Sequence, residues 1–521
     1  MGIKVPLTNR LLSSKSLNVL AFIVSLFQFM GLLVFAINRF SHFDAGIDYA
    51  IFNQATYLIG HGHPNPYNTL YNDRFWQDQF NLLAWVIGGI RTIFPSSLTL
   101  LVIQAGAISM TSFVVVRFAI KSCDQRDYPK WLRVGVVFGI SSLVFTSPWA
   151  YEANFFDFHM EPIFTLTLAL SLYGFYFNKK RLGYAMIVVS LLAAVATTVF
   201  VVGMGIGMIV VKRLRQSGVV LAVLGLVWFL VANVLNAHQS TTFAATYGYL
   251  AHSSSTSPSL VSIFEGMITH PGTPISVLNA RRGPIAQIFE FSGFLGVFFP
   301  PSGLAALTAI LTNGLANTPA FIALAQGFQN YPEVILLTMG TVVVVLKLFR
   351  FIGSRYESKV SLEVLGKGLG TLTALVAVVL LVVAVNIDIG IPPFWLRVTP
   401  AVAKTLGRYY PSRNVEVIST MNVVGRYASR GLIYAWFGDP QSFPICANKQ
   451  VVVLVSNQYT LPVQNKVVLA ESAALKKVHW AKLVASGNQT WIFLLSLPRG
   501  STLTFPGVTD KNGLSGFTCY N

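Results

Sequence analysis

The sequence predicts an all-α polytopic membrane protein with one extracytoplasmic α+β domain at its C-terminal end, and three observations lead there. Only 11% of the 521 residues are charged and the mean hydropathy is +0.61, against roughly 25% charged residues in an ordinary soluble domain. The apolar residues gather into long blocks. From residue 389 the texture turns Pro-rich and then mixed, with β-branched and aromatic stretches such as Val451 to Val455 and Trp491 to Leu497 that read as strands. Residues 1–388 are therefore expected to form the membrane domain and 389–521 the appended one.

Leu17 to Ala36 carries no charge, follows Lys4, Arg10 and Lys15, and lacks a small-residue cleavage site. It reads as an uncleaved first helix with a cytoplasmic N-terminus. Further apolar runs cover 97–116, 132–147, 160–177, 183–211, 217–236, 286–312, 332–349 and 368–387. Four basic clusters sort the loops: Arg117 with Lys121, Arg126, Lys130 and Arg133; Lys179 to Arg181; Lys212, Arg213 and Arg215; and Lys347, Arg350, Arg355 and Lys359. All four belong on the cytoplasmic side. An extra crossing by Asn81 to Phe94 would put the first cluster outside, so this stretch, interrupted by Arg91, is expected to lie in the interface or re-enter. Parity also divides 183–211 near Thr197 and Thr198, and 286–312 at Pro300 and Pro301. The result is about eleven crossings, some short, in a plasma membrane. The outer loops are 39–96, 148–160, 237–285 and 313–331, and the C-terminal domain lies outside.

The net charge of +18 comes from 37 Lys and Arg against 19 Asp and Glu. Because the basic residues cluster at the ends of apolar runs, they orient helices, and nucleic acid is not implied. Cys123, Cys446 and Cys519 show no metal-ligand spacing. Cys123 falls inside and stays a thiol; Cys446 and Cys519 share an oxidising side, where they either pair or remain two unpaired buried cysteines.

Carboxylates at the outer ends of helices are expensive to bury and suggest a site where they converge. Two stretches are dense in them. Phe43 to Phe80 holds Asp44, Asp48, His61, His63, Asp73, Trp76 and Asp78; Trp149 to Pro162 places Asp157, His159 and Glu161 at alternate positions before a helix. In an extended segment that alternation aims all three to one side, where a carboxylate serves as general base towards a hydroxyl or the trio holds a divalent cation. Helix capping and interface solvation are the plainer roles for the same residues. Gly203, Gly205 and Gly207 sit in an apolar helix with no preceding strand and no Lys-Ser/Thr, so they read as a close-packing face. No nucleotide fingerprint supports an ATP-driven pump, and a secondary transporter would place its polar groups nearer the bilayer midplane.

The run Asp48-Tyr-Ala-Ile-Phe-Asn-Gln to Gly-His-Pro-Asn-Pro-Tyr67, with Phe75-Trp-Gln-Asp-Gln-Phe, resembles the membrane-protein family known as domain of unknown function 2079. So do Phe94-Pro-Ser-Ser, Asp157-Phe-His-Met-Glu-Pro, Phe298-Phe-Pro-Pro, Asn330-Tyr-Pro and Gly425-Arg-Tyr-Ala-Ser-Arg-Gly-Leu-Ile-Tyr. That family is grouped with the C-type glycosyltransferase (GT-C) fold, whose members take a sugar from a polyprenyl-phosphate carrier on the outer side of the membrane. The resemblance implies a catalytic acid near the end of the first helix, at Asp48 or Asp44, and a second acid at Asp157. Gln79, Asn330 and the pair Thr197 and Thr198 stand where the family commonly has ionisable residues, which implies a changed substrate or a lost activity.

The expected function is glycosyl transfer, with Asp48 or Asp157 removing the acceptor proton. His159, Glu161, Asp78 and Trp76 line the substrate site, and Arg74, Arg281 and Arg282 hold the lipid phosphate. A divalent cation at Asp157, His159 and Glu161 is compatible with the pattern, and the cofactor stays open. A non-catalytic lipid-binding, transport or envelope-assembly protein using the same cavity is the alternative.

Overall fold

The computed structural model describes residues 13–125, 128, 130–236, 243–251, 258–317, 327–356, 398–456, 462–505 and 509–510. Among them, five helices are long and apolar enough to cross a membrane: Ser14–Ser41, Leu98–Asp124, Lys130–Phe155, Lys212–Leu235 and Phe328–Phe351. Phe22, Phe27 and Val34 on the first of these and Val223, Leu230 and Val234 on the fourth are exposed, as lipid-facing side chains are. The Leu98–Asp124 helix lies at the centre, touching the Ser14–Ser41, Glu161–Tyr176 and Tyr331–Tyr356 helices. At one end of the bundle Asp124 accepts from Ser14 at 2.6 Å and pairs with Arg133 at 3.2 Å, next to the first basic cluster. The opposite end carries the acidic stretches.

Both expected helix breaks are present. The Lys180–Ala193 helix stops and Thr197–Val210 begins after a short turn. Thr197 Oγ1 donates to the carbonyls of Ser190 and Ala194, and Thr198 Oγ1 to Val195, so these hydroxyls cover helix-end acceptors. Pro300 opens the Pro300–Leu315 helix, where its missing N–H costs nothing. The glycines of Thr197–Val210 allow close helix contact: a Cβ at Gly203 would lie 2.6 Å from Leu304 O, and one at Gly205 2.6 Å from Ala222 N.

Three expectations gain detail from the structure. Within 148–160, Pro148–Phe155 is helical with proline in its first turn. Several other apolar helices are short: Glu161–Tyr176 and Pro300–Leu315 have 16 residues, Lys180–Ala193 and Thr197–Val210 have 14, and Arg282–Phe291 has 10. At 1.5 Å per residue these measure about 15–24 Å, less than the ~30 Å hydrocarbon core. The full count of eleven is thus not carried by helix length, and the 368–387 run lies outside the described residues. Asn81 to Phe94 forms the 11-residue helix Leu83–Ile93, which is not among the helices long enough to cross, and Arg91 within it is buried.

In the C-terminal domain, five strands form a mixed sheet in the order Ile433–Trp436, Glu416–Thr420, Gln450–Val455, Thr490–Leu495, Ala481–Gly487. The first two pairings are parallel and the last two antiparallel. The central strands are buried on both faces, so they read as continuous apolar runs. Val417, Val451 and Val453 join the core that continues into the membrane bundle, whereas Ile418, Val452 and Leu454 face a second core with Phe443 and Phe505. Cys446 is disulfide-bonded and Cys123 is a buried free thiol; Cys519 lies outside the described residues.

Candidate functional site

The Ser14–Ser41 helix ends at His42, and the chain folds straight back on it. Asp44 N donates to Arg39 O at 2.9 Å, and Arg39 grips the Asp44 carboxylate with Nε and Nη2 at 2.8 and 3.1 Å. Such a two-pronged pair is well suited to a site without water. The next helix, Ile47–Gly60, starts at Gly46. The Gly46 N–H donates to both oxygens of Asp157, at 3.3 and 3.1 Å, and a Cβ there would lie 2.7 Å from Asp157 Oδ2. Only glycine lets the carboxylate approach. Asp157 has φ 145, a backbone setting that costs a non-glycine residue about 1–3 kcal/mol. Gln104 fixes it, donating to Asp157 O and accepting from His159 N, both at 2.9 Å.

Two residues further along, Asp48 faces His159, with Oδ2 3.6 Å from Nε2. The His159 ring stacks on Phe328 with centroids 3.9 Å apart and leans on Phe156. Burial pushes the imidazole towards neutrality, but Asp48, Glu161 and Asp157 together raise its pKa above the ordinary value. The three candidate carboxylates therefore differ in access. The Asp48 side chain is 35% exposed, whereas Asp157 and Asp44 are 5% and 0% exposed and are held beside Arg39.

Asp157, His159 and Glu161, expected to share one side, do interact, since both carboxylates raise the His159 pKa, while each also has contacts of its own. Asp157 turns to Gly46, His159 turns to Asp48 and Phe328, and Glu161 already opens the Glu161–Tyr176 helix. Among the described residues no three His, Cys, Asp or Glu side chains form a group able to hold a metal ion.

The remaining candidates have surroundings of their own. Arg74 is exposed and precedes the one-turn helix Phe75–Asp78, which ends at Asp78. Trp76 joins Phe80, Trp85 and Trp228 in an aromatic cluster. Arg281 Nη1 donates to the carbonyls of Gly314 and Ala316, both at 2.7 Å, capping the Pro300–Leu315 helix, while Arg282 is exposed. His61 is exposed, bonded to Tyr57 O and stacked on the Tyr57 ring; His63 is exposed too.

The C-terminal domain holds the Ile47–Gly60 helix from its other side. Gly425 N donates to Ala45 O at 2.9 Å, Asn53 Nδ2 to Gly425 O at 3.2 Å, and Gln54 Nε2 to Gly431 O at 2.7 Å. Buried Arg91 ties the two parts, donating to Asn53 O, Thr56 Oγ1 and Ser429 Oγ. Sequence reasoning missed Arg39, Gly46 and Gln104. Arg39 did carry a signal: it is a lone cation at the end of the first helix that the charge rule assigns to the outside. Gly46 and Gln104 carried none, since their roles exist only once distant segments meet.

No curated protein matches the sequence. Among solved structures the chain is similar to ArnT from Cupriavidus metallidurans bound to undecaprenyl phosphate, with 13% identity and a TM-score of 0.44, over 89% of this chain and 97% of that one. The model of the predicted membrane protein family DUF2079 matches residues 39–326, the span that contains Arg39, Asp44, Asp48, Asp157 and His159, and the chain belongs to that family.

Proposed function

We propose that this membrane protein transfers a sugar from a polyprenyl-phosphate carrier to an acceptor hydroxyl at the extracytoplasmic face. The observation that carries the reading is the contrast in access: of three carboxylates packed at one end of the bundle, Asp48 alone is open, at 35% exposure, and it has a histidine partner. Asp48 takes the acceptor proton, the acceptor oxygen bonds to the anomeric carbon, and the bond from that carbon to the carrier phosphate breaks. His159, 3.6 Å from Asp48 Oδ2, holds the carboxylate in place. Asp44 and Asp157 hold the frame through Arg39 and Gly46. The basic clusters at the ends of apolar runs support reading this face as the outer one, and impermeant labelling tests that topology: a cysteine added beside Lys180 should stay unlabelled from outside, and one in the 50–75 loop should react.

The activity test uses full-length protein in proteoliposomes with polyprenyl-phosphate sugars, with and without divalent cations. Asp48→Asn should lower transfer by about 10²- to 10⁴-fold while the protein remains monodisperse. A non-catalytic lipid-binding role draws support from Thr197 and Thr198, whose hydroxyls serve helix-end carbonyls where the family commonly has acids. Carrier binding with no turnover under any of these conditions would retire the enzyme reading in favour of that one.

A further inference from the structure

Arg426 stands in the segment that joins the C-terminal domain to the first loop. Its neighbour Gly425 is pinned to Ala45, and a Cβ at Gly425 would lie 2.7 Å from Ala45 O, so Arg426 is fixed at the seam. The guanidinium lies over three rings, 4.3 Å from the Phe40 centroid, 5.7 Å from Phe43 and 5.5 Å from Tyr410. Its Nε is buried without a hydrogen-bond partner. Among the described residues no carboxylate reaches ion-pair distance of it: Asp44 and Asp157 lie with Arg39, and Asp48 with His159. Arg430, four residues on, shows the contrast, since its guanidinium donates to the carbonyls of Tyr427, Ser412, Val415 and Pro411. One arginine of this motif holds the fold, and the other is a half-buried cation held on aromatic faces with its charge unmatched.

We infer that Arg426 is an anion-binding residue that takes a phosphate group at the seam between the first loop and the C-terminal domain. The class follows from the donor: a guanidinium presents a planar fork that fits phosphate oxygens two at a time, and aromatic faces hold it while adding cation–π attraction. Phe40 belongs to the last turn of the first spanning helix, so the site lies at headgroup depth, within reach of a lipid phosphate. This site also supplies the carrier-phosphate cation that Arg281, used as a helix cap, does not. The inference rests on the proposed function only for which phosphate is bound.

The test titrates full-length protein in neutral detergent with four probes: a short-chain polyprenyl monophosphate, the matching polyprenol, phosphatidylglycerol and inorganic phosphate. Phosphate-bearing probes should bind and the alcohol should not. Arg426→Gln should weaken that binding by about 10- to 100-fold, and Arg426→Lys should recover part of it, as a point charge without the fork. The phosphate probe that binds most tightly identifies the source: carrier lipid, bulk lipid or free anion. Equal binding by the wild type and Arg426→Gln, or equal binding of polyprenol and its phosphate, overturns the inference. If Arg426→Gln does not purify intact, a photoreactive polyprenyl phosphate on the wild type decides: adducts in 40–46 or 410–427 sustain the site, and adducts only elsewhere overturn it. Sugar transfer measured on the same samples separates the two claims. Arg426-dependent binding without any transfer removes the glycosyl reading alone, whereas transfer with binding indifferent to Arg426 removes the inference alone.

Discussion

Substitution at Asp157 separates a brace from a base. In Asp157→Ala the Gly46 N–H, which now donates at 3.1 and 3.3 Å, is buried with no acceptor, and Arg39 loses its second anion at 3.9 Å. Hydrogen bonds to charged groups contribute about 1.5–3 kcal/mol, so a loss of roughly 2–4 kcal/mol is expected. Asp157→Asn keeps an oxygen for Gly46 and should lose about 1 kcal/mol, because a neutral acceptor bonds roughly half as strongly. The diagnostic variant is Asp157→Gly. Glycine normally destabilises relative to alanine by about 0.4–1 kcal/mol, but at φ 145 it relieves backbone strain of about 1–3 kcal/mol. The order of stability should therefore be wild type, Asn, Gly, Ala. Denaturant titration in detergent micelles, followed by tryptophan fluorescence, measures it. A Gly variant weaker than Ala refutes the strained backbone, and an Ala variant as stable as wild type refutes the brace. Should Asp157→Asn keep its stability yet lose transfer by 10²-fold or more, the base is Asp157 and not Asp48.

Other expectations follow from the same contacts. Arg91→Met should loosen the C-terminal domain by about 1–3 kcal/mol, since Ser429 and Thr56 lose their shared donor; faster proteolysis near residue 398 checks it, and an unchanged digest counts against the tie. Glu416, buried under the sheet, has its pKa raised to about 7 from 4.5, chiefly by burial. A raised acid pKa adds stability that is full below about pH 4.5 and is lost as pH rises through about 7, so the domain should be roughly 3 kcal/mol less stable at pH 8 than at pH 4.5 from this group. Domain melting across that range should show the fall, and Glu416→Gln should flatten it. Gly207→Ala should separate the Thr197–Val210 and Pro300–Leu315 helices, because its Cβ would run into Pro300 O; a loss of about 1–3 kcal/mol is expected, and a melting temperature equal to wild type would contradict the contact.

Much of the frame was legible because its causes are local. The helix breaks followed from Pro300 and from basic residues at both ends of 183–211, and the strands at 450–455 and 490–495 followed from β-branched runs that prove to pair with each other. The site was legible in its ingredients and not in its roles. Asp48, Asp157 and His159 stood out as polar residues at helix ends, yet nothing near Asp157 in sequence shows that residue 46 brings an N–H to it, across 111 positions. Alternate spacing suggested one shared face for Asp157, His159 and Glu161, but it gave no sign of the positive φ at Asp157 or of the Gly46 N–H that its carboxylate accepts. Arg281 looked like a phosphate ligand by charge alone, and the carbonyls of Gly314 and Ala316 take that charge.

The bonds between the first loop and the C-terminal domain also set an order of assembly. Arg91 meets Ser429 across 338 residues, and Asn53 meets Gly425 across 372. At a synthesis rate of about 5–20 residues per second, the ribosome needs on the order of 20–70 s to supply these partners after the first loop has emerged. Throughout that interval Asn53, Gln54 and Arg91 keep only the partners within the first loop and lack those at 425–431. The nascent chain is a half-built enclosure that its last hundred residues close. A chain terminated before residue 398 would keep every spanning helix described here, yet would leave Asn53, Gln54 and Arg91 without their partners at Gly425, Gly431 and Ser429.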